Sequence, residues 1–304
     1  MTTHLASAAS QGSATPQGNA EVGRPRRNGR RFGRPGWFVY GCLGALLAGS
    51  LFPFYWSFLI GSGDAYTIRD PNMSWLPGGN FFANATKVLS DPAVNFWLAL
   101  WNSVFSSAVI ALSVVFFSTL AGWAFAKLKF VGGGALLVFV IATMAVPTQL
   151  GVVPLYILFS ELGWTGNIGA IIVPSLTSAF GVFWMTQYLR QAVPDELVEA
   201  ARVDGANSLR TFLAVGLPAA RPAAAMLGLF TFVSAWNNFF WPFIVLDRQS
   251  PTLPVALSLL QSNYFVDYSI VLAGVLLSTI PLLILFIFAG KQLVSGIMAG
   301  AVKG

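Results

Sequence analysis

The sequence contains few charged residues. Asp, Glu, Lys and Arg make up 9% of its 304 residues, whereas soluble domains average roughly a quarter. Hydrophobic residues account for 56% of the chain, and its mean hydropathy is +0.70. So few charges cannot solvate the surface that a water-exposed globule of this size presents. A soluble enzyme is therefore not expected.

Histidine and cysteine are almost absent. His4 is the only histidine and Cys42 the only cysteine, so an internal disulfide and a cysteine metal cluster are excluded. The uncharged segments described below leave acid–base chemistry and proton coupling without residues. The sequence also has no phosphate loop of the G-x-x-x-x-G-K-[ST] type, so any ATP must be hydrolysed by another chain. We predict no catalytic residue, no metal and no cofactor on this chain.

The charged residues are spaced so that six long uncharged intervals remain. Each interval is at least the roughly 20 residues that a helix needs to cross a bilayer, and a charge at the centre of such a helix costs roughly 2.5 to 3.5 kcal/mol. The intervals predict an all-α, polytopic membrane protein with six spanning helices, at about residues 37–60, 98–126, 135–159, 168–189, 221–246 and 270–289. Pro147 and Pro154 predict kinks in the third helix. Residues 249–266 contain prolines and polar residues that predict an extramembrane loop.

Lysine and arginine are distributed unequally between the two sides of this topology. With the N-terminus inside, fourteen of the 17 basic residues lie inside, and only Arg69, Lys87 and Arg248 lie outside. Because positively charged short loops stay in the cytoplasm, both termini are predicted to be cytoplasmic. The net charge of +6 then reflects topology and attraction to anionic membrane lipid, and no nucleic-acid partner is expected.

These assignments divide the chain into three parts. Residues 1–36 are rich in Ser, Gly, Ala, Gln and Arg, which predicts a disordered basic cytoplasmic tail. Residues 37–290 form the six-helix transmembrane domain, which includes a cytoplasmic loop at 190–220, and residues 291–304 form a cytoplasmic C-terminal tail. The outer segment at 61–96 carries turn residues and too few periodic apolar residues for a domain of its own.

The cytoplasmic loop has the features of two short helices joined by a tight turn. Pro194 suits a first helical turn, and the two acidic residues after it favour the positive end of the helix dipole. Gly205 is placed to leave the helix in a left-handed conformation, and Ser208 is predicted to cap the next helix. Residues at three- and four-residue spacing share one face of the first helix: Leu197, Ala201 and Asp204. An amphipathic connector that lies on lipid is the alternative.

A motif of about 20 residues runs through this loop. Glu199-Ala200-Ala201 is followed after three residues by Gly205, and nine residues later by Val215, one residue and Leu217-Pro218. This pattern resembles the EAA motif of ABC importer permeases, with Val215 where the family usually has Ile.

The resemblance extends over most of the chain after the N-terminal tail, and it is to the six-helix partner subunit of the maltose-type carbohydrate permease family. Three further segments support it: Val146-Pro147 to Pro154-Leu155-Tyr156, Ala235-Trp236-Asn237-Asn238-Phe239 and Gly300-Ala301-Val302-Lys303-Gly304. Asn238 lies where many relatives carry Glu, so a carboxylate role does not transfer to it. The region from Gln261 to Tyr268 and the last helix are similar to the cellobiose and cello-oligosaccharide branch.

The resemblance implies a type I ABC importer permease subunit in the bacterial inner membrane. Its partners are then a second related permease, a homodimeric ATPase that binds ATP and Mg²⁺, and an extracytoplasmic sugar-binding protein. The cytoplasmic loop becomes a coupling helix that is seated in a cleft of the ATPase. The implied coupling residues are Leu197, Glu199, Ala200, Ala201, Asp204, Gly205, Leu217 and Pro218.

Two more contacts are implied by the resemblance. The tail after Lys291 is expected to reach the ATPase, with a frayed terminus as the alternative. The outer loop at 247–267 is expected to contact the binding protein through Gln261, Asn263 and Tyr264, with a plain connector as the alternative.

Polar residues inside the predicted spans are candidates for a translocation path, because each needs a partner in a low-dielectric setting. The amides of Gln149, Asn237 and Asn238, with the ring of Trp236, are predicted to line such a path. Hydrogen bonding between helices is the alternative, and the related importers place most sugar contacts on the partner permease. A stand-alone carrier or channel for a small polar solute is the alternative function, although such a protein has no use for a solvent-facing docking helix.

Overall fold

The computed structural model describes residues 36–72, 74–262 and 265–301, with side chains up to residue 288. Every regular element in these ranges is helical. In chain order the helices are α1 (Trp37–Gly61), α2 (Phe81–Ser90), α3 (Phe96–Lys127), α4 (Gly133–Thr143), α5 (Val152–Glu161), α6 (Gly169–Ile172), α7 (Ala179–Ala192), α8 (Asp195–Val203), α9 (Ser208–Thr211), α10 (Leu217–Trp236), α11 (Phe240–Val245), α12 (Leu253–Leu259) and α13 (Tyr268–Ala301). The all-α prediction is confirmed, while the predicted basic tail lies outside the described residues except for Gly36.

Five helical segments are long and apolar enough to cross a membrane. They are Trp37–Gly61, Phe96–Lys127, Gly169–Ala192, Ser208–Trp236 and Tyr268–Phe288. A sixth span results if the bent pair Gly133–Thr143 and Thr148–Glu161 is counted as one. The predicted number of spans is therefore confirmed on that count, in the predicted order along the chain.

The third span is broken more sharply than a kinked helix. Its two halves meet at an angle of 85°, and the chain between them passes through Pro147 into a 3₁₀ turn at Thr148–Gly151. Pro154 causes no break, because it lies in the first turn of α5, where the N–H groups have no partner within the helix. The prediction of a kink is thus confirmed at Pro147 and wrong at Pro154.

The fourth and fifth spans are also interrupted, which corrects the continuous helices predicted there. A 3₁₀ turn at Val173–Ser175 separates α6 from α7, and Ser178 caps α7 by accepting a hydrogen bond from the N–H of Gly181 at 3.1 Å. The fifth helix begins at Leu217 and ends at Trp236, not near residue 246. The chain leaves the helix at Asn237 and starts a new one at Phe240, with Pro242 in the first turn of α11, where the N–H groups have no partner within the helix.

Two segments predicted as turns or loops contain helices. The outer segment at 61–96 includes α2, which buries Ala85 and Val88. The side-chain amide of Asn84 donates to the carbonyls of Gly61 and Gly63 at 3.0 and 2.9 Å. The loop predicted at 249–266 includes α12, whose residues are largely buried. Tertiary packing orders both segments, although their turn residues and polar residues suggested irregular chain.

The described residues from 51 to 301 form one compact unit, and the described residues from 36 to 50 belong to another. The core of the larger unit is the packing of α3 against α7 and α10. A Cβ atom on Gly122 of α3 would lie 2.6 Å from the Cβ of Met185 of α7, so the two helices approach closely here. A second apolar cluster joins α2, α12 and the start of α13 to the first turns of α3.

Candidate functional site

The EAA segment, defined here as residues 195–218, consists of α8, a glycine turn, α9 and a π-helical turn at Phe212–Gly216 that leads into α10. Gly205 has φ +79°, which confirms the predicted left-handed conformation. The N–H of Ala206 donates to the carbonyl of Ala201 at 2.9 Å, and that of Gly205 donates to Arg202 at 3.0 Å. These two bonds form a Schellman motif, which satisfies carbonyl groups at the end of α8.

The second helix of the segment is capped by Asn207, so the prediction of Ser208 was wrong. The side-chain oxygen of Asn207 accepts a hydrogen bond from the N–H of Arg210 at 2.8 Å. Ser208 is instead the first residue of α9. Asn and Ser are about equally good caps, and the length of the glycine turn decides which of the two occupies the cap position.

Helix α8 is attached to the membrane helices at two points. Val198 is buried in the main apolar cluster. Lys127, the last residue of α3, donates from its ammonium group to a carboxylate oxygen of Asp195 at 2.7 Å. The Lys127 side chain is 4% exposed and that of Asp195 is 79% exposed. The hydrogen bond and the positive charge of Lys127 lower the pKa of Asp195 from its ordinary value.

The remaining surface of the EAA segment faces outward. Among the predicted coupling residues Ala201 is partly buried, and the others are exposed: Leu197, Glu199, Ala200, Asp204, Gly205, Leu217 and Pro218. Val203 and Leu209, which the sequence analysis did not single out, are 88% and 61% exposed. Apolar side chains exposed on these two short, ordered helices form a surface suited to a partner.

Two cavities adjoin each other among the membrane helices. The larger, of about 640 Å³, is bordered by α3, α7, α10 and the 3₁₀ turn at Val173–Ser175. The smaller, of about 520 Å³, is bordered by the 3₁₀ turn at Thr148–Gly151, α5 and α11. Both are lined by Thr148, Pro174, Ser175 and Asn238. Among the described residues the linings contain hydroxyl and amide groups and no ionisable side chain.

The structure separates the four predicted path residues. Asn238 lines both cavities and Gln149 lines the smaller one. Asn237 is exposed, and its amide donates to the carbonyl of Val233 in its own helix at 2.9 Å. Trp236 is buried and stacks on Phe232. Hydroxyl residues that the sequence analysis did not consider supply most of the polar lining: Ser106, Thr148, Ser175, Thr177, Ser178, Thr231 and Ser234.

The start of the segment at 247–267 is held by the first turns of α3. The side-chain amide of Asn102 donates to the carbonyl of Pro251 at 3.0 Å, and the hydroxyl of Ser103 accepts from the N–H of Leu253 at 2.8 Å. Gln261 is exposed, whereas Asn263 and Tyr264 lie outside the described residues, as do the side chains of the C-terminal tail.

Residues 115–292 match the family described as the binding-protein-dependent transport system inner membrane component. The arabinooligosaccharides transport system permease protein AraQ of Halalkalibacterium halodurans is 33% identical over 76% of this chain and 88% of its own length. The trehalose/maltose transport system permease protein MalG of Thermococcus litoralis is 31% identical over 86% of this chain and 95% of its own length. The lactose transport system permease protein LacG of Rhizobium radiobacter is 31% identical over 84% of this chain and 91% of its own length.

A solved structure has the same fold. It is the crystal structure of a bacterial ABC transporter involved in the import of the acidic polysaccharide alginate, and one of its chains superposes with a TM-score of 0.68 at 24% identity. The match covers 84% of this chain and 96% of that chain.

Six apolar spans, an outward-facing EAA segment and these matches define a multi-pass membrane permease of the ABC importer class. The chain belongs to the family of binding-protein-dependent transport system inner membrane components. Members of this family are permease subunits that work with an ATPase and a binding protein. A stand-alone carrier is therefore not supported, and the resemblance found in the sequence is confirmed at the level of carbohydrate importer permeases. The cellobiose branch stays a prediction.

Proposed function

We propose that this chain is one of two membrane subunits of an oligosaccharide importer and forms half of its translocation path. The observation that carries the proposal is the pair of open cavities lined by hydroxyl and amide groups. Such groups exchange hydrogen bonds with sugar hydroxyls as readily as with water. The relatives named for arabinooligosaccharides, trehalose and maltose, and lactose support the same class of substrate.

A second permease is needed to cover this path. The 3₁₀ turn at Thr148–Gly151 and the chain from Met144 to Pro147 are exposed along their whole length. Irregular backbone at membrane depth is tolerated only where protein covers it or where it lines a water-filled cavity. Lipid offers no hydrogen-bond partner to the free carbonyl groups of this break or to the amides of Gln149 and Asn238. A related permease subunit of the same importer can supply such partners.

The partner of the EAA segment is inferred to be an ATPase rather than a lipid surface. Asp195, Glu196, Glu199 and Asp204 are all exposed within ten residues, and Arg202 is the only basic residue among them. The cytoplasmic leaflet carries a negative potential that repels such a segment. The exposed Leu197 and Val203 add the apolar area that a docking surface requires. Closure of the ATPase dimer then moves the segment and, through it, the membrane helices.

The remaining parts of the importer follow from the same proposal. ATP and Mg²⁺ bind to the ATPase subunits, and this chain supplies no catalytic residue. Both termini are cytoplasmic, so the segment at 247–267, with Gln261, Asn263 and Tyr264, faces the extracytoplasmic binding protein. The tail after Lys291 reaches the ATPase. The coupling itself is a mechanical function of shape and rigidity.

The test is affinity purification of the chain in mild detergent from its native membrane, with mass spectrometry of the proteins that co-purify. The unaltered chain is expected to retain an ATPase and a second permease in stoichiometric amount. The variant Gly205→Val is expected to insert normally. The amount of ATPase that co-purifies with it is expected to fall at least about tenfold, because a side chain at φ +79° distorts the Schellman turn.

The matched control is Gly163→Val. Gly163 also has a positive φ, of +67°, in open space, and it ends α5 with the same two hydrogen-bond pairs. Backbone strain is therefore similar in the two variants, and only the location differs. Equal loss of the ATPase in both variants would reject the EAA segment as the docking surface. Recovery of the unaltered chain alone, active in sealed vesicles without ATP, would reject the importer itself.

A further inference from the structure

Helix α3 differs from the other membrane-length helices of the described residues in being both unbroken and free of proline. Its 32 residues contain no proline, whereas α1, α10 and α13 contain Pro53, Pro222 and Pro281. The third and fourth spans are broken outright. Sharp bends in helices arise almost always at prolines or at breaks of this kind. At 1.5 Å per residue α3 is about 48 Å long and stiff throughout.

The last two turns of α3 hold both ends of the EAA segment. Lys127 donates to Asp195 at the first residue of α8. Trp123, one turn earlier on the same face of α3, packs against Phe212 with ring centroids 5.9 Å apart. It also lies so close to Gly216 that a Cβ atom there would be 2.6 Å from Cε3 of its ring. The side chains of Trp123 and Lys127 are both almost fully buried.

The other end of α3 holds the segment at 247–267. Asn102 and Ser103 are buried and bind Pro251 and Leu253 through the two hydrogen bonds given above. Between the two ends, successive turns of α3 contribute Ser106, Ile110 and Val114 to the lining of the larger cavity. One unbroken helix therefore contacts the EAA segment, the cavity and the opposite segment.

We propose that α3 is a rigid connection through which the EAA segment and the segment at 247–267 move together. Lys127 and Trp123 are the positioning residues that fix the EAA segment to α3. Because the side chain of Lys127 is buried, its ammonium group is held in one orientation, toward Asp195. The ring of Trp123 fills the space that Gly216 leaves open, so a displacement of the π-helical turn pushes on α3. The proposal rests on the proposed function, because an ATPase must supply the displacement.

The experiment uses two nitroxide reporters on the full chain after Cys42→Ser removes the only natural cysteine. One reporter is at Arg202→Cys, an exposed position of α8 that is not among the predicted coupling residues, and the other is at Arg248→Cys, three residues before Pro251, whose carbonyl Asn102 binds. Electron paramagnetic resonance line shapes are recorded for the permease alone in nanodiscs, and again in the assembled complex before and after Mg-ATP and vanadate.

The test variant is Lys127→Met, which keeps the length of the buried side chain and removes its charge. Asp195→Asn breaks the same ion pair from its exposed end, where a folding defect is not expected. Lys129→Met is the matched control, because the exposed Lys129 carries the same charge two residues away and makes no hydrogen bond to Asp195.

In Lys127→Met and Asp195→Asn, the reporter at residue 202 is expected to become more mobile in the permease alone. The ATP-induced change at residue 248 is expected to fall at least about fivefold, while Lys129→Met behaves as the unaltered chain does. Equal responses at residue 248 in all variants would overturn the proposal. Absence of an ATP response at residue 202 in the otherwise unaltered complex would overturn the proposed function on which it rests.

Discussion

Helix α3 and the α4–α5 pair are both apolar enough to cross a membrane, but they pack in opposite ways. Helix α3 buries residues along its whole length. Helices α4 and α5 bury one residue each, Leu137 and Phe159, and the break between them is exposed. Hydropathy records only that a segment can enter a membrane, whereas burial records what covers it there. Helix α3 is thus fixed by its own chain, and the proposed function predicts that α4–α5 is covered by the second permease.

The largest difference between α3 and α4 is expected when one methyl group is added to each helix in turn. Gly122→Ala places a Cβ 2.6 Å from the Cβ of Met185 and 2.9 Å from its backbone, so α3 and α7 must separate. Overpacking of this kind costs about 1 to 3 kcal/mol, or more when backbone must move. Gly134→Ala on α4 meets nothing within 4 Å and is expected to be neutral or slightly stabilising.

Thermal unfolding of both variants, followed by size-exclusion chromatography in detergent, measures this difference. Gly122→Ala is expected to lower Tm by several degrees or to leave no monodisperse protein, and Gly134→Ala to keep the Tm of the unaltered chain. A Tm unchanged by Gly122→Ala would mean that α3 and α7 do not pack as closely as described here.

The second prediction concerns the rate at which a cysteine on the α4–α5 surface reacts, which shows whether a partner protein or lipid covers this surface. After Cys42→Ser, a cysteine at the exposed Val153 is expected to react with N-ethylmaleimide in the purified permease alone. In the assembled complex in the same detergent its reaction is expected to slow at least about tenfold, because the second permease covers it. A cysteine at Ser107, which is fully buried in α3, is the control and stays unreactive in both. Equal rates at residue 153 would mean that this surface faces the membrane.

The sequence predicted what depends on composition and local geometry. Charged residues are rare in membrane spans, so their spacing predicted the number and order of the spans, and Gly205 was predicted because few other residues adopt a positive φ. The breaks at Asn237–Asn238 and at Val173–Ser175 were missed, because the side chains at these points are as apolar or uncharged as in the rest of the span. Hydropathy therefore gives no signal where the backbone leaves the helix. The hydroxyl lining was missed because serine and threonine in an apolar helix usually bond to their own backbone. The ion pair of Lys127 and Asp195 joins residues 68 positions apart, and no local pattern indicates such a contact.

The smallest effect concerns the dependence of the α3 attachment on pH. Lys127 lowers the pKa of Asp195 below its ordinary value of 3.8, so the folded protein binds a proton there less readily than the unfolded chain. A carboxylate with a lowered pKa contributes its stabilisation above the unfolded pKa and loses it as pH falls through the folded one. The attachment is therefore expected to be constant from pH 8 to pH 5 and to weaken only below pH 3.8.

The nitroxide reporter at Arg202→Cys measures this attachment directly in the permease alone. Its mobility is expected to be unchanged between pH 8 and pH 5 and to rise only in stronger acid. In Asp195→Asn the mobility is expected to be raised at every pH, since no carboxylate is left to titrate. A transition between pH 7 and pH 5 in the unaltered chain would show that a group other than Asp195 fixes α8, because a carboxylate bound to Lys127 stays ionised throughout that range. In that case the ion pair of Lys127 and Asp195 would not attach the EAA segment to α3, and the contrast with α4–α5 would depend only on the burial of α3 along its length.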